Sequence, residues 1–135
     1  MATVSDFPTA LRYTREHEWA RVQGAEIEVG ITAYAAQQLG DVVFVELPQV
    51  GSRVTAGKPF GVVESVKSVS DLFAPLTGQV VAVNHVLESA PEQVNDSPYN
   101  EGWMIRVQAD DDKAVDALLT ANEYADWIKQ ADGAH

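Results

Sequence analysis

From Gly40 onward the chain is written in short β-rich runs: Val42 to Leu47, Arg53 to Thr55, Phe60 to Val66, Val69 to Leu72, Gln79 to Val83 and Trp103 to Val107. Gly, Pro and Asn separate most of them. Runs of this length and punctuation build small sheets, because β-branched side chains suit a pleated surface and the breakers suit turns. Two runs repeat: Gly40-Asp-Val-Val-Phe-Val-Glu-Leu47 matches Gly78-Gln-Val-Val-Ala-Val-Asn-His85 at four of eight positions. Further on, Val54 to Pro59-Phe60 is echoed by Val94 to Pro98-Tyr99. Val-rich strands match one another readily and two copies are few, so the repeat alone does not carry the fold. It predicts two small, quasi-symmetric sheets closed into a flattened barrel or sandwich, an arrangement that limits exposed edges.

Upstream, His17 to Gln23 and Ala25 to Ile31 flank Gly24, and the second run alternates Ile27, Val29 and Ile31 with Glu26, Glu28 and Gly30. That is the strand period, and it predicts a hairpin with one buried face. Thr32 then stands as an N-cap, Ala33 to Leu39 as a short helix, and Gly40 where a helix C-cap glycine belongs. Beyond the β-rich part, Asp110 to Leu119 and Ala121 to Gln130 have helical character, the latter preceded by Thr120 with Glu123 at capping-box spacing. The expected organisation is one domain over residues 1–135, with a β core at about 11–108 and a helical tail at about 110–131. A chain of this size is expected to form one hydrophobic core.

Nine Lys and Arg against 20 Asp and Glu give a formal net charge of -11. Such a surface repels phosphate backbones and anionic membranes and favours basic partner proteins. Cysteine is absent, which excludes disulfides, thiolate nucleophiles and cysteine metal sites. The start, Met1 to Pro8, has neither the features of a signal peptide nor an Arg-rich amphipathic character. A cytoplasmic protein is expected, of bacterial origin in preference to a mature organellar form.

Between Pro59 and Ile105 the one Lys or Arg is Lys67, among Glu64, Asp71, Glu88, Glu92, Asp96 and Glu101. The hydrophobic runs stop on both sides of Lys67-Ser68, as a hairpin tip requires. Taken by itself the pattern fits a solubilising surface lysine, the use to which most exposed lysines are put. An exposed amine is charged and a poor nucleophile, so direct amine catalysis is not expected. Acylation is the use that exposure permits: it removes the charge and leaves a long tether.

Four blocks together say more: Tyr13-Thr14-Arg15-Glu16-His17-Glu18-Trp19; Gly30-Ile31-Thr32 leading into Leu39-Gly40-Asp41-Val42-Val43-Phe44-Val45-Glu46-Leu47-Pro48; Gly61-Val62-Val63-Glu64-Ser65-Val66-Lys67-Ser68; and Ser97-Pro98-Tyr99-Asn100-Glu101-Gly102-Trp103-Met104-Ile105. In this order they resemble the H proteins of the glycine cleavage system over nearly the whole chain. The resemblance implies a mainly β, lipoyl/biotinyl-like hybrid of barrel and sandwich, with lipoate bound covalently to Lys67 and Glu64, Ser65, Val66, Ser68 and Asp71 as flanking recognition residues. It implies a cycle in which the lipoyl arm takes an aminomethyl group from a pyridoxal-phosphate glycine decarboxylase (P protein). The arm passes it to a tetrahydrofolate-dependent aminomethyltransferase (T protein) and is reoxidised by dihydrolipoyl dehydrogenase (L protein). A lipoate-attaching enzyme is a further implied partner, and the carrier is expected to be a monomer without catalytic residues or metal. Glu18 is assigned, by resemblance, to holding the cationic aminomethyl group when the arm folds back; an exposed strand carboxylate beside an inward Trp19 is the plainer alternative.

The chain departs from the family pattern after Thr32, where an acid is expected at Ala33 and a glutamine at Ala36, which puts local capping in doubt. Ser68 stands where alanine is commoner. Other readings are a lipoyl domain of a 2-oxoacid dehydrogenase complex, whose lysine usually sits in Asp-Lys-Ala, and an H-like relay passing lipoyl groups to other proteins. A small enzyme built on His17, Glu18 or His85 lacks a triad or a metal-spaced cluster.

Overall fold

Gly24 has φ of 64°, a left-handed turn conformation that an L side chain resists, and it closes the first hairpin of the computed structural model, which describes residues 7–111 and 113–133. The strands of this hairpin are β2 (Glu18–Gln23) and β3 (Glu26–Ile31), preceded by a short β1 (Arg12–Tyr13). The expected helix follows as α1 (Ala33–Leu39): Thr32 caps it by accepting the Ala35 N–H, and Gly40 ends it at φ 79°. The β-rich runs become β4 (Val42–Glu46), β5 (Arg53–Val54), β6 (Pro59–Ser65), β7 (Val69–Phe73), β8 (Gly78–Val83) and β9 (Ile105–Ala109). Two one-turn helices that the sequence pattern did not announce, α2 (Val86–Ser89) and α3 (Gln93–Asp96), lie between β8 and β9.

The strands form two sheets, six-stranded in the order β1-β2-β3-β9-β8-β5 and three-stranded in the order β4-β6-β7. The two copies of the repeat, β4 and β8, fall in different sheets, as the two-halves expectation requires. The sheets are unequal and do not close into a barrel, because β3 pairs with β9 and so adds the first hairpin to one of them. The second echo is one of burial alone: Val54 lies in β5 and Val94 in α3, both in the core.

Apolar packing falls into two clusters where one was expected. The larger joins the sheets through Val29, Val63, Leu72, Val80, Met104 and Ile105. The second gathers Phe7, Leu11, Tyr13 and Trp19 under α4 (Ala121–Gly133), with Tyr13 stacked on Tyr124 at a centroid distance of 4.8 Å. The reciprocal capping box of α4 is present: Glu123 accepts the Thr120 N–H and Thr120 accepts the Glu123 N–H. The helix expected over Asp110 to Leu119 shrinks to one 3-10 turn at Ala114–Ala117. Leu119 exchanges two backbone hydrogen bonds with Tyr13, and that extended pairing pulls the end of the segment out of any helix. The first six residues, on which much of the targeting expectation fell, lie outside the described residues. Among the described residues no helix is long and apolar enough to cross a membrane.

Candidate functional site

The Lys67 hairpin is built on the pairing of β6 with β7, in register down to Glu64 opposite Val69. Ser65 N–H donates to the Ser68 carbonyl at 2.8 Å, leaving Val66 and Lys67 as the tip. The Ser65 hydroxyl, in a buried residue, accepts the N–H groups of Lys67 at 3.3 Å and Ser68 at 3.1 Å. A short polar side chain thus satisfies backbone donors that a two-residue turn leaves open. Val66 and Ser68 are exposed beside the lysine, as is Asp71 further along β7, while Glu64 is half-buried.

The tip is also held from below. Val66 N–H donates to the Asp41 carbonyl at 3.0 Å, between α1 and β4. Asn95 of α3 fixes that junction: its amide donates to the Gly40 carbonyl at 2.8 Å and its Oδ1 accepts the Val42 N–H at 2.9 Å. The stem of Lys67 crosses Gly40, where an added Cβ would lie 3.6 Å from Lys67 Cε. The lysine is exposed, and the residue before it is pinned to the junction between α1 and β4.

A cleft of about 170 Å³ opens beside the hairpin, lined by Val63, Ser70, Asp71 and Leu72 from β6 and β7, by Ala35, Gln38 and Leu39 from α1, by Ile31, and by Glu16, His17 and Glu18. Glu18 is not the exposed carboxylate of the plainer alternative. It is 1% exposed, and Trp19 is buried as well. Thr14 Oγ1 donates to Glu18 Oε1 at 2.7 Å and Phe73 N–H to Oε2 at 3.2 Å, and no ion pair to Glu18 exists among the described residues. Burial pushes its carboxyl up to about 8, against the opposing pull of the Thr14 and Phe73 hydrogen bonds. A buried acid facing a cleft without a counter-ion suits a cation arriving from outside.

His17 holds one wall. It has φ of 74°, the one positive value outside glycine among the described residues. Its Nδ1 lies 2.8 Å from the Tyr124 hydroxyl, which lies 2.8 Å from Thr32 Oγ1, so α4 and the N-cap of α1 meet at this imidazole. Burial lowers the His17 pKa, favouring the neutral ring. One nitrogen of the ring is thereby engaged in holding α4 to the head of α1.

Residues 11–131 match the family described as glycine cleavage H-protein. The chain belongs to that family. It is 56% identical over 123 residues to the glycine cleavage system H protein of Geobacillus kaustophilus, covering 91% of this chain and 97% of the relative. It is 57% identical over 122 residues to that of Magnetococcus marinus, covering 90% and 87%. The crystal structure of an H protein from Mycobacterium marinum superposes with a TM-score of 0.83 at 45% identity, over 91% of this chain and 99% of that one. Within this H-protein frame, the alanines at 33 and 36 leave the helix capped: Thr32 accepts the Ala35 N–H, Tyr99 Oη accepts the Ala33 N–H at 2.9 Å, and Ala36 is buried. Sequence reasoning missed Thr14, which reaches Glu18 four positions on, and the Phe73 N–H and Asn95, whose partners lie up to 59 residues away and leave no local pattern.

Proposed function

We propose that Lys67 carries a lipoyl group in amide linkage and that the chain acts as the non-catalytic lipoyl carrier of the glycine cleavage system. Membership of the H-protein family makes it a carrier subunit of that system. The observation that carries the finer reading is the placement of Lys67: an exposed amine on a pinned hairpin whose own strands line a cleft with a buried carboxyl that has no ion-pair partner among the described residues. Attachment joins Nζ to the carbonyl carbon of an activated lipoyl donor, a mixed anhydride or thioester; the activating group departs, and the ammonium Nζ gives up two protons, the first of which takes its charge.

When bound, lipoyl supplies a disulfide that accepts the aminomethyl group from glycine and is restored by oxidation. The protein supplies the rest. Ser65 shapes the tip, Gly40 supplies the left-handed turn beneath it, and Val66, Ser68, Glu64 and Asp71 are the flank that an attaching enzyme meets. Glu18, with Thr14 and Phe73 fixing its oxygens, receives the cationic end of a folded-back arm, and the apolar walls at Ile31, Leu39 and Val63 keep water from it. The partners follow from this role: the glycine decarboxylase, the aminomethyltransferase, the dihydrolipoyl dehydrogenase and the lipoate-attaching enzyme, met by a monomeric carrier in the cytoplasm. The test is the intact mass of wild type and Lys67→Arg expressed with lipoate. A lipoyl increment on wild type alone is expected; the increment on both forms moves the site elsewhere.

A further inference from the structure

The outer face of the three-stranded sheet takes no part in the core. Its register sets its pattern: Phe44, Glu64 and Val69 lie side by side across β4, β6 and β7, and Glu46, Val62 and Asp71 form the next row. Positions two apart on a strand share a face, so the six form one surface on which apolar and acidic side chains alternate in both directions. A bulge between Val42 and Phe44 turns Val43 outward as well. Phe44 is 47% exposed and Val69 66%, too much apolar surface for one small sheet face to leave in water without a use. None of the three strands contains Lys or Arg; the tip between two of them holds Lys67.

The charge decides what covers such a face. A second copy would bring the same three carboxylates and a net charge of -11, and an anionic lipid surface is repelled in the same way. A protein face carrying basic and apolar side chains matches it. Geometry narrows the partner further. Enzymes that work on the loaded arm meet its far end, an arm's length from the body. The enzyme that attaches the acyl group must bring its reacting centre to Nζ itself, and so must rest on the surface beside the tip.

We propose that this alternating face docks a basic, apolar-studded surface of the enzyme that acylates Lys67, so that recognition extends from the tip across the sheet to Phe44 and Glu46. The inference rests on Lys67 being the acylated residue. Lys67→Arg keeps the face and accepts no acyl group, so binding to the attaching enzyme is measured on that background by titration calorimetry. Acylation kinetics are measured on the otherwise unmodified chain. Glu46→Lys and Phe44→Ser each weaken binding and raise KM about tenfold with kcat within about twofold. Glu46→Lys also flattens the salt dependence of kcat/KM. Asp126→Lys makes the same charge change at an exposed position of α4 and is the control. The proposal is overturned if Glu46→Lys and Asp126→Lys behave alike, or if Phe44→Ser and Val69→Ser, with unchanged circular dichroism and thermal melts, bind as the parent does. If wild type gains no mass at Lys67, the attachment reading itself has failed and the docking proposal falls with it.

Discussion

Asn95 donates to the carbonyl of Gly40 at 2.8 Å across 55 residues of sequence. With its Oδ1 on the Val42 N–H it joins α3 to the stretch that holds up the lysine tip. Asn95→Ala leaves the Val42 donor and the Gly40 acceptor unpaired in a half-buried place, costing about 1–3 kcal/mol in urea unfolding. Hydrogen exchange at the Val66 amide, which depends on Asp41 staying in place, should quicken beyond what global destabilisation explains.

Glu18 gives the fold a pH dependence with a definite sign. Its carboxyl lies near 8 folded and near the ordinary 4.5 unfolded, so the folded chain holds a proton that the unfolded chain has lost between those values. This contribution is complete below about 4.5 and is lost as pH rises through about 8, with stability falling by about 1.4 kcal/mol per pH unit in that window. Glu18→Gln, which mimics the neutral acid, should remove that component from a series of denaturant titrations.

The same substitution tests the arm-docking role. On isolated protein loaded with the aminomethyl group, Glu18→Gln should speed release of the group, read by the rate of formaldehyde or ammonia appearance. An unchanged rate dismisses the assignment and leaves Lys67 untouched.

Tyr124→Phe keeps the ring that stacks on Tyr13 and deletes the hydroxyl shared by His17 and Thr32. The loss should cost about 1–3 kcal/mol, because both partners keep polar atoms in a partly dry place. His17 carries a strained backbone angle, so its amide should show the largest chemical-shift change outside α4.

Local physics was legible where a local rule governs it. Thr32 and Gly40 bracket α1, Thr120 and Glu123 reach for each other, and the break that Lys67-Ser68 makes between two hydrophobic runs marks the tip. Each depends on neighbours within a few positions. The helix expected over Asp110 to Leu119 failed because Leu119 pairs with Tyr13, a contact that propensity does not register. Helices α2 and α3 are one turn each, too short for periodicity to declare. Glu18 was named through resemblance, while its tie to Thr14 is made within the turn before β2 and its tie to Phe73 comes from a strand far along the chain. The apolar-acidic face was hidden for a related reason: its rows run across strands, and only pairing reveals them.

Burial suppresses the charge of Glu18, and no counter-ion among the described residues restores it. An ammonium that settles against it at neutral pH therefore displaces a proton. On the proposed docking, storing cargo is an ion exchange: the carrier trades one hydrogen ion to solvent for each cationic group it shelters, and the tightness of storage follows the acidity of the medium. A more alkaline bath tightens the hold, and a more acidic one loosens it, with no moving part beyond a single carboxyl.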